Sequence, residues 1–176
     1  MNRNILIRIA VAVVVVGTVL AATAQQGQGR GPSTAEERAR FVEITHKLET
    51  SPLDAGLNSD RDWALRWLIE VPDVHGELCT NVLGGFMKEK KYPYGGEIVR
   101  QLTFSGAAFA IENPDKAADR LAQFEAGVEG ALKAYSAIVQ QKPEAKSKSL
   151  EELLQKQSQS KLQEFVRDAA DKGCHK

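Results

Sequence analysis

One stretch of the chain, GGEIVRQLTFSGAAFAIEN at positions 95–113, constrains the fold more than any other. Arg100 is the only charged residue between its first and last turns. A helix that is apolar on nearly every side must be covered by other helices. Gly106 and Ala110, spaced i and i+4, would let a neighbouring backbone approach closely. We therefore predict a buried central helix over residues 97–112.

Segments on both sides of this stretch supply helices to cover it. Their apolar residues recur at spacings of three and four, and no segment alternates with period two for long enough to predict a strand. Ser33 with Glu36, or Thr34 with Glu37, forms a capping box that starts the first helix. We predict an all-α domain, an orthogonal bundle of five to six helices around the buried central helix. The surrounding helices are expected to end near residue 49 and to span 60–71, 74–89, 114–141 and 150–171, the last with a polar break at 156–161.

Length and charge narrow the class of protein. A chain of 176 residues, 43% of them hydrophobic, suits one domain with its own core. The 23 Lys and Arg residues balance the 23 Asp and Glu residues. A near-neutral mixture lacks the concentrated positive face that phosphate binding needs. We therefore expect no nucleic-acid partner.

The N-terminus predicts export. A short basic region is followed by an apolar run at 9–20 and by a small-x-small signal that ends at Ala24, which is typical of a cleaved signal peptide. An uncleaved anchor is the alternative, because the run approaches the short end of spanning length. We predict a signal peptide at 1–24, a flexible tether at 25–32, and a single helical domain at 33–176. The mature chain would be periplasmic or secreted, with no membrane span.

The predicted compartment decides how the two cysteines are interpreted. Cys79 and Cys174 are the only cysteines, and an oxidising compartment favours a disulfide between them. His75 is four residues before Cys79, and His175 follows Cys174 directly. If the cysteines stayed reduced, these four side chains would form a Cys2His2 metal site, which is the weaker alternative. We expect the disulfide and no cofactor.

Four aromatic residues are candidates for ligand binding. Trp63 and Trp67 lie four residues apart on a predicted helix, where stacking on a ligand competes with the more frequent role as core residues. Tyr92 and Tyr94 lie in a loop that follows a basic run at 88–91. This loop could receive an anionic ligand, although a solvated turn explains it equally well.

No catalytic motif appears in the chain. There is no phosphate-binding glycine loop, nucleophile elbow or HExxH pair. The only compact polar group near a helix junction is formed by Glu70, Asp73 and His75, and helix capping explains it already. We expect a non-enzymatic protein- or peptide-binding module of the cell envelope. The alternative is a periplasmic carrier of a small molecule or metal, with a pocket between helices.

Two resemblances support this interpretation. Ala131, Tyr135, Ile138 and Pro143 match the second-helix spacing of tetratricopeptide repeats, but the first half of that repeat is absent. The segments WLIEVPD, IENPDKA and AGVEGAL, together with the C-terminal cysteine, resemble a group of small exported all-helical bacterial proteins. This second resemblance implies an exported helical domain and brings no activity with it.

Overall fold

The computed structural model describes residues 30–89 and 91–174, and the secondary structure of this part of the chain is entirely helical, without a strand. Its α-helices are α1 (Ala35–Thr50), α2 (Asn58–Glu70), α3 (Gly95–Glu112), α4 (Arg120–Gln141), α5 (Lys148–Ser158) and α6 (Leu162–Gly173). Short 3₁₀ helices span Ala55–Leu57, Thr80–Lys88 and Pro114–Lys116. The all-α prediction is confirmed. The predicted signal peptide and residues 25–29 of the predicted tether lie outside the described residues.

The first helix begins as its sequence predicts. The Thr34 hydroxyl accepts a hydrogen bond from the Glu37 amide at 3.2 Å, and the Glu37 carboxylate accepts one from the Thr34 amide at 3.0 Å. Asp73 accepts bonds from the amide and hydroxyl of Ser33, each at 2.9 Å, and from Arg38 at 2.7 Å. These bonds hold the start of α1 against the segment that follows α2.

Helices α3 and α4 approach each other so closely that side chains are excluded at their contact. A Cβ atom at Gly106 would lie 2.9 Å from the main-chain oxygen of Gln123, and one at Gly127 would overlap the main-chain oxygen of Leu102. Only glycine fits such positions without moving a backbone. The close approach expected at Gly106 is therefore present, and α4 is the helix that makes it.

The core consists of two hydrophobic clusters, and α3 contributes to both. Ile98 and Leu102 belong to a cluster with α4, α5, α6 and the 3₁₀ helix Thr80–Lys88. Phe104, Ala107 and Ala108 belong to a second cluster with α1 and α2. Because both clusters use α3, they are joined through its residues.

The predicted disulfide is present. Cys79 and Cys174 are bonded, with their Cα atoms 5.6 Å apart and 95 residues of separation in sequence. The bond ties the end of α6 to the segment between α2 and α3. None of the helices in the described ranges is both long and apolar enough to cross a membrane.

The predicted helix over 74–89 is wrong in its first part and is not an α-helix in the rest. The chain has no regular secondary structure from Val74 to the disulfide, and a 3₁₀ helix then spans Thr80–Lys88. Gly84 adopts a φ of 61°, which breaks that helix in its middle. Glycine adopts this left-handed conformation at little cost, whereas glycines weaken a regular α-helix. The Asp73 carboxylate, expected to cap this helix, binds Ser33 and Arg38 instead.

The boundaries of two other helices also differ from expectation. The longest helix, predicted over 114–141, begins at Arg120, because the Asp119 carboxylate caps it by accepting from the Ala122 amide at 3.0 Å. Asn113, which precedes the predicted start, donates its side-chain amide to the Phe109 carbonyl at 2.9 Å. The C-terminal segment forms two helices, Lys148–Ser158 and Leu162–Gly173, which are separated within the predicted polar break but extend two residues beyond each predicted end.

We predict that Gly127→Ala lowers the free energy of unfolding by about 1–3 kcal/mol, because the added methyl group forces α3 and α4 apart. Gly95→Ala is the matched control, since a Cβ atom there meets nothing within 4 Å. It should leave stability unchanged or raise it by up to about 1 kcal/mol. Urea unfolding followed by circular dichroism measures both values. Equal stability of the two variants would contradict the close packing of α3 on α4.

We also predict that replacing Cys79 and Cys174 together by serine lowers the free energy of unfolding by up to about 4–5 kcal/mol. The reason is that the lost bond closes a loop of 95 residues in the unfolded chain. Denaturant titrations with and without a reductant check this. Reductant should destabilise the native protein and leave the double serine variant unaffected. A native protein insensitive to reductant would show that the bond does not contribute to stability.

Candidate functional site

An apolar groove of about 480 Å³ lies between α2, the irregular segment after it, and α3. Its α3 wall is a stripe with helical spacing, formed by Gly96, Val99, Arg100 and Thr103. The full lining of this apolar groove is Leu65, Leu68, Ile69, His75, Gly76, Leu78, Gly96, Val99, Arg100, Thr103 and Phe104. Its volume is within the range of about 300–1,000 Å³ that is usual for ligand pockets.

Large hydrophobic side chains are exposed around this groove. Of the four such side chains in the described residues, Leu65, Ile69 and Leu78 line it, with exposed fractions of 43%, 75% and 58%. The fourth, Met87, does not line it. Single exposed apolar residues are ordinary, but a contiguous set marks a binding surface. The apolar groove is therefore the strongest candidate site.

One wall of the groove is main chain. The segment from Val74 to Leu78 has no regular secondary structure, and its amide and carbonyl groups make no hydrogen bond to any other described residue. Gly76 brings this segment against α3, since a Cβ atom there would lie 2.6 Å from the Thr103 methyl group and 3.2 Å from Leu68. Backbone groups without partners are able to pair with those of a second chain.

Arg100 is the single arginine of the groove lining. Its side chain is half-buried, and within residues 30–89 and 91–174 it has no salt bridge or hydrogen bond. Burial lowers the pKa of its guanidinium, an effect that the nearby Glu97 opposes. A guanidinium remains protonated despite such a shift. The groove thus combines an apolar lining with one positive charge.

The two tyrosines predicted to bind ligand lie elsewhere, in a shallow polar cleft. Tyr92 and Tyr94 line a cavity of about 430 Å³ together with charged residues that include Lys91, Lys146 and Glu144. Burial, helped by Tyr94, raises the pKa of Tyr92 to about 12. Tyr92 also packs edge-on against Phe86, with ring centroids 5.3 Å apart. The mixed charges of this cleft favour no single class of ligand.

The two tryptophans pack against α1. The Trp67 ring is 2% exposed and lies 4.8 Å from the Phe41 ring, so it is a core residue. Trp63 stacks on Trp67 at 5.9 Å and is covered by the Arg40 guanidinium at 4.0 Å. Neither tryptophan lines the apolar groove, and the structure does not bring them together with the tyrosines.

The weaker metal alternative loses two of its ligands. Cys79 and Cys174 are bonded to each other, so neither sulfur is a thiolate. His75 lines the apolar groove, and His175 lies outside the described residues. Across those described, no group of three or more metal-ligating side chains is close enough to hold an ion.

The polar group Glu70, Asp73 and His75 is divided in the structure. Asp73 and His75 line a polar cleft of about 350 Å³, whereas Glu70 does not. The main-chain amide of Ser33, assisted by Arg38, lowers the pKa of Asp73 to about 2. A carboxylate so strongly held in its ionised form is a poor general acid or base near neutral pH.

A buried carboxylate joins α1, α3 and α4. Glu49 is 5% exposed and accepts hydrogen bonds from Ser105 at 2.8 Å and Lys133 at 3.0 Å. Gln101 donates to the Ser105 hydroxyl at 2.9 Å, so that hydroxyl is fully engaged. Residues of this type could form a nucleophilic site, but neither Glu49 nor Ser105 lines any of the cavities described above. We assign the cluster a structural role.

The sequence does not reveal the apolar groove, because Leu65, Ile69 and Leu78 lie in predicted helices, where apolar residues are expected to face the core. One signal was present in the sequence: the 60–71 segment carries apolar residues on more of its circumference than one core-facing stripe requires. Trp67 and Ala64 fill the buried face of α2, which leaves Leu65 and Ile69 outside.

Comparisons of the chain with protein-family models, curated proteins and solved structures found no match. The candidate site is therefore defined by its geometry alone.

The contacts of the His46 side chain lead us to predict that the stability of the fold depends on pH. Its ring nitrogens lie 3.3 Å from Glu49 and 3.1 Å from Glu112. Burial alone would lower its pKa, but the bonds to Glu112 and Glu49 outweigh burial and raise it above the ordinary value of 6.5. The protonated ring therefore stabilises the fold fully below that value, and the stabilisation is lost as pH rises through the raised pKa.

We expect the urea midpoint to fall as pH rises from below 6.5 through the raised pKa of His46, and His46→Gln to remove most of that fall. Unfolding curves of both proteins at several pH values test this. If the variant kept the native slope with pH, other groups would carry the dependence.

Proposed function

We propose that this protein is an exported, non-enzymatic module of the cell envelope that binds an extended apolar segment of another protein in the apolar groove. The observation that carries the proposal is the combination of exposed apolar side chains with unpaired main-chain groups on the same groove. A peptide can use both features at once, since its backbone can hydrogen-bond to those groups while alternate side chains enter the apolar lining.

The dimensions of the groove fit a short peptide. A bound extended peptide rises about 3.3 Å per residue, so five or six residues laid along the segment from Val74 to Leu78 would span about 17–20 Å. Leu65 and Ile69 of α2 and Val99 of α3 supply apolar contacts along that length. In this proposal the orthogonal bundle around α3 acts as a rigid support for the groove.

Export of the protein is part of the proposal. The predicted cleavage after Ala24 would release the mature chain into the periplasm or the medium, where a disulfide between Cys79 and Cys174 is stable. The disulfide at the end of the segment from Val74 to Leu78 is compatible with that compartment. The bond would also hold the groove wall in place.

A second candidate function is that of a carrier for a small apolar molecule. The groove volume of about 480 Å³ favours it, because this size would accept such a ligand. The open rim favours the peptide. With Ile69 exposed by 75%, the groove covers its occupant on one side only. Carriers usually bury most of a small ligand's surface.

The test is affinity selection with a synthetic library of N-acetylated hexapeptides, read out by mass spectrometry on oxidised protein. We predict enrichment of peptides with apolar residues at alternate positions. Ile69→Asp and Leu78→Asp should each weaken their binding by about tenfold or more, because each removes apolar burial worth about 1.5–3 kcal/mol.

Met87→Asp is the matched control, since it places the same charge at an exposed apolar position away from the groove. It should bind the selected peptides as the native protein does. Absence of any enrichment, or an equal loss in all three variants, would contradict peptide binding in the groove. Tight binding of a neutral dye without peptide binding would favour the carrier.

A further inference from the structure

We infer that the peptide bound in the apolar groove ends there, with its C-terminal carboxylate paired to the Arg100 guanidinium. This inference rests on the proposed peptide-binding function and specifies the class of ligand. It predicts that the protein recognises free C-termini with apolar last residues rather than internal segments of a chain.

Arg100 is a half-buried arginine without a paired carboxylate. Arg38 binds Asp73 at 2.7 Å, Arg40 binds Asp60 at 3.1 Å, and Arg120 lies 3.1 Å from Glu77. Arg100 has no such contact within the part of the chain that the structure describes, although the charges of Glu97 and Asp62 act on it from a greater distance. A guanidinium partly removed from water without a hydrogen-bonded anion is unfavourable, and an incoming carboxylate would relieve that cost.

A guanidinium also fits the geometry of a carboxylate. Its planar fork donates two parallel hydrogen bonds to the two oxygen atoms, an arrangement stronger than a bond between neutral groups. Arg100 is the only Lys, Arg, Asp or Glu residue in the groove lining, which is otherwise mainly apolar. The complementary ligand is therefore an apolar chain that carries one negative charge.

The position of that charge favours a chain terminus over an acidic side chain. A last residue brings an apolar side chain and a carboxylate to the same place, whereas Asp or Glu would give up one apolar contact. Gly96, in the first turn of α3, lines the groove one turn before Arg100, and no side chain caps that turn. Free amides of a helix start can assist in binding a carboxylate.

A fatty acid would offer the same charge and an apolar chain. It could not hydrogen-bond to the main chain between Val74 and Leu78, whose groups have no partner among the described residues. A peptide satisfies this wall, the apolar lining and Arg100 together. We therefore assign the groove to a peptide.

The decisive comparison uses two probes on one native protein. Hexapeptides of identical apolar sequence, taken from the selection above, are made with a free C-terminal carboxylate and with a C-terminal carboxamide. Fluorescence polarisation should give a Kd at least about tenfold lower for the carboxylate form, because a charge-assisted pair is present only there. This comparison needs no variant and is unaffected by any folding defect.

Variants then locate the charge. In Arg100→Gln the difference between the two forms should fall to less than about twofold, and Arg100→Lys should restore part of it. Arg66→Gln is the matched control, because Arg66 is exposed and outside the groove, and the native difference should persist. An acidic side chain at the last position of a carboxamide peptide should not substitute for the terminal carboxylate.

The outcomes separate the two proposals. Equal Kd values for the two peptide forms, both weakened by Ile69→Asp, would overturn the terminal carboxylate while leaving peptide binding intact. Failure of every hexapeptide would remove the proposed function itself. Binding of dodecanoate that depends on Arg100, without peptide binding, would overturn the inference in favour of a lipid. A native dimer that Ile69→Asp dissociates would overturn it in favour of a second copy of this chain.

Discussion

The close contact between α3 and α4 is the interaction on which the rest of the structure depends. Glycines at 106 and 127 bring the two backbones into contact, so that main-chain oxygens occupy the space of side chains. Such proximity gives many weak dispersion contacts, which together are large. It also places Ser105 of α3 beside α4, where Glu49 of α1 accepts its hydrogen bond. A third helix is thereby fixed to the pair.

Helix α3 has three stripes of side chains, and each stripe faces a different part of the protein. Ile98 and Leu102 enter one core cluster, Phe104 and Ala107 enter the other, and Val99 and Arg100 line the apolar groove. Since both clusters hold the helix, its remaining stripe is rigidly placed. The presence of one charge between the first and last turns of α3 follows from this division, because Arg100 lies on the stripe that lines the groove.

The sequence predicted the features that depend on local or periodic signals. The apolar stretch predicted α3, the capping box predicted the start of α1, and the cysteine pair predicted the disulfide. Sequence reasoning failed at 74–89, where Leu78, Val82 and Phe86 have helical spacing but the backbone at Gly84 is left-handed. It also failed to predict the groove, because apolar residues such as Ile69 read as core. Whether a partner helix covers such a residue depends on tertiary packing, and the periodicity of apolar residues gives no information about that packing.

The failure at 74–89 and the existence of the groove have one cause. A regular helix after Asp73 would have bonded its own amides and carbonyls, leaving no unpaired main chain beside α3. Instead, Gly76 lets a segment without regular secondary structure lie against Thr103, and the Cys79–Cys174 bond fixes its far end. Leaving backbone groups without internal partners is tolerable only where water or another chain can satisfy them. From His75 to Leu78 the segment is partly or fully exposed, which meets that condition, and the adjoining apolar side chains make another chain the more favourable partner.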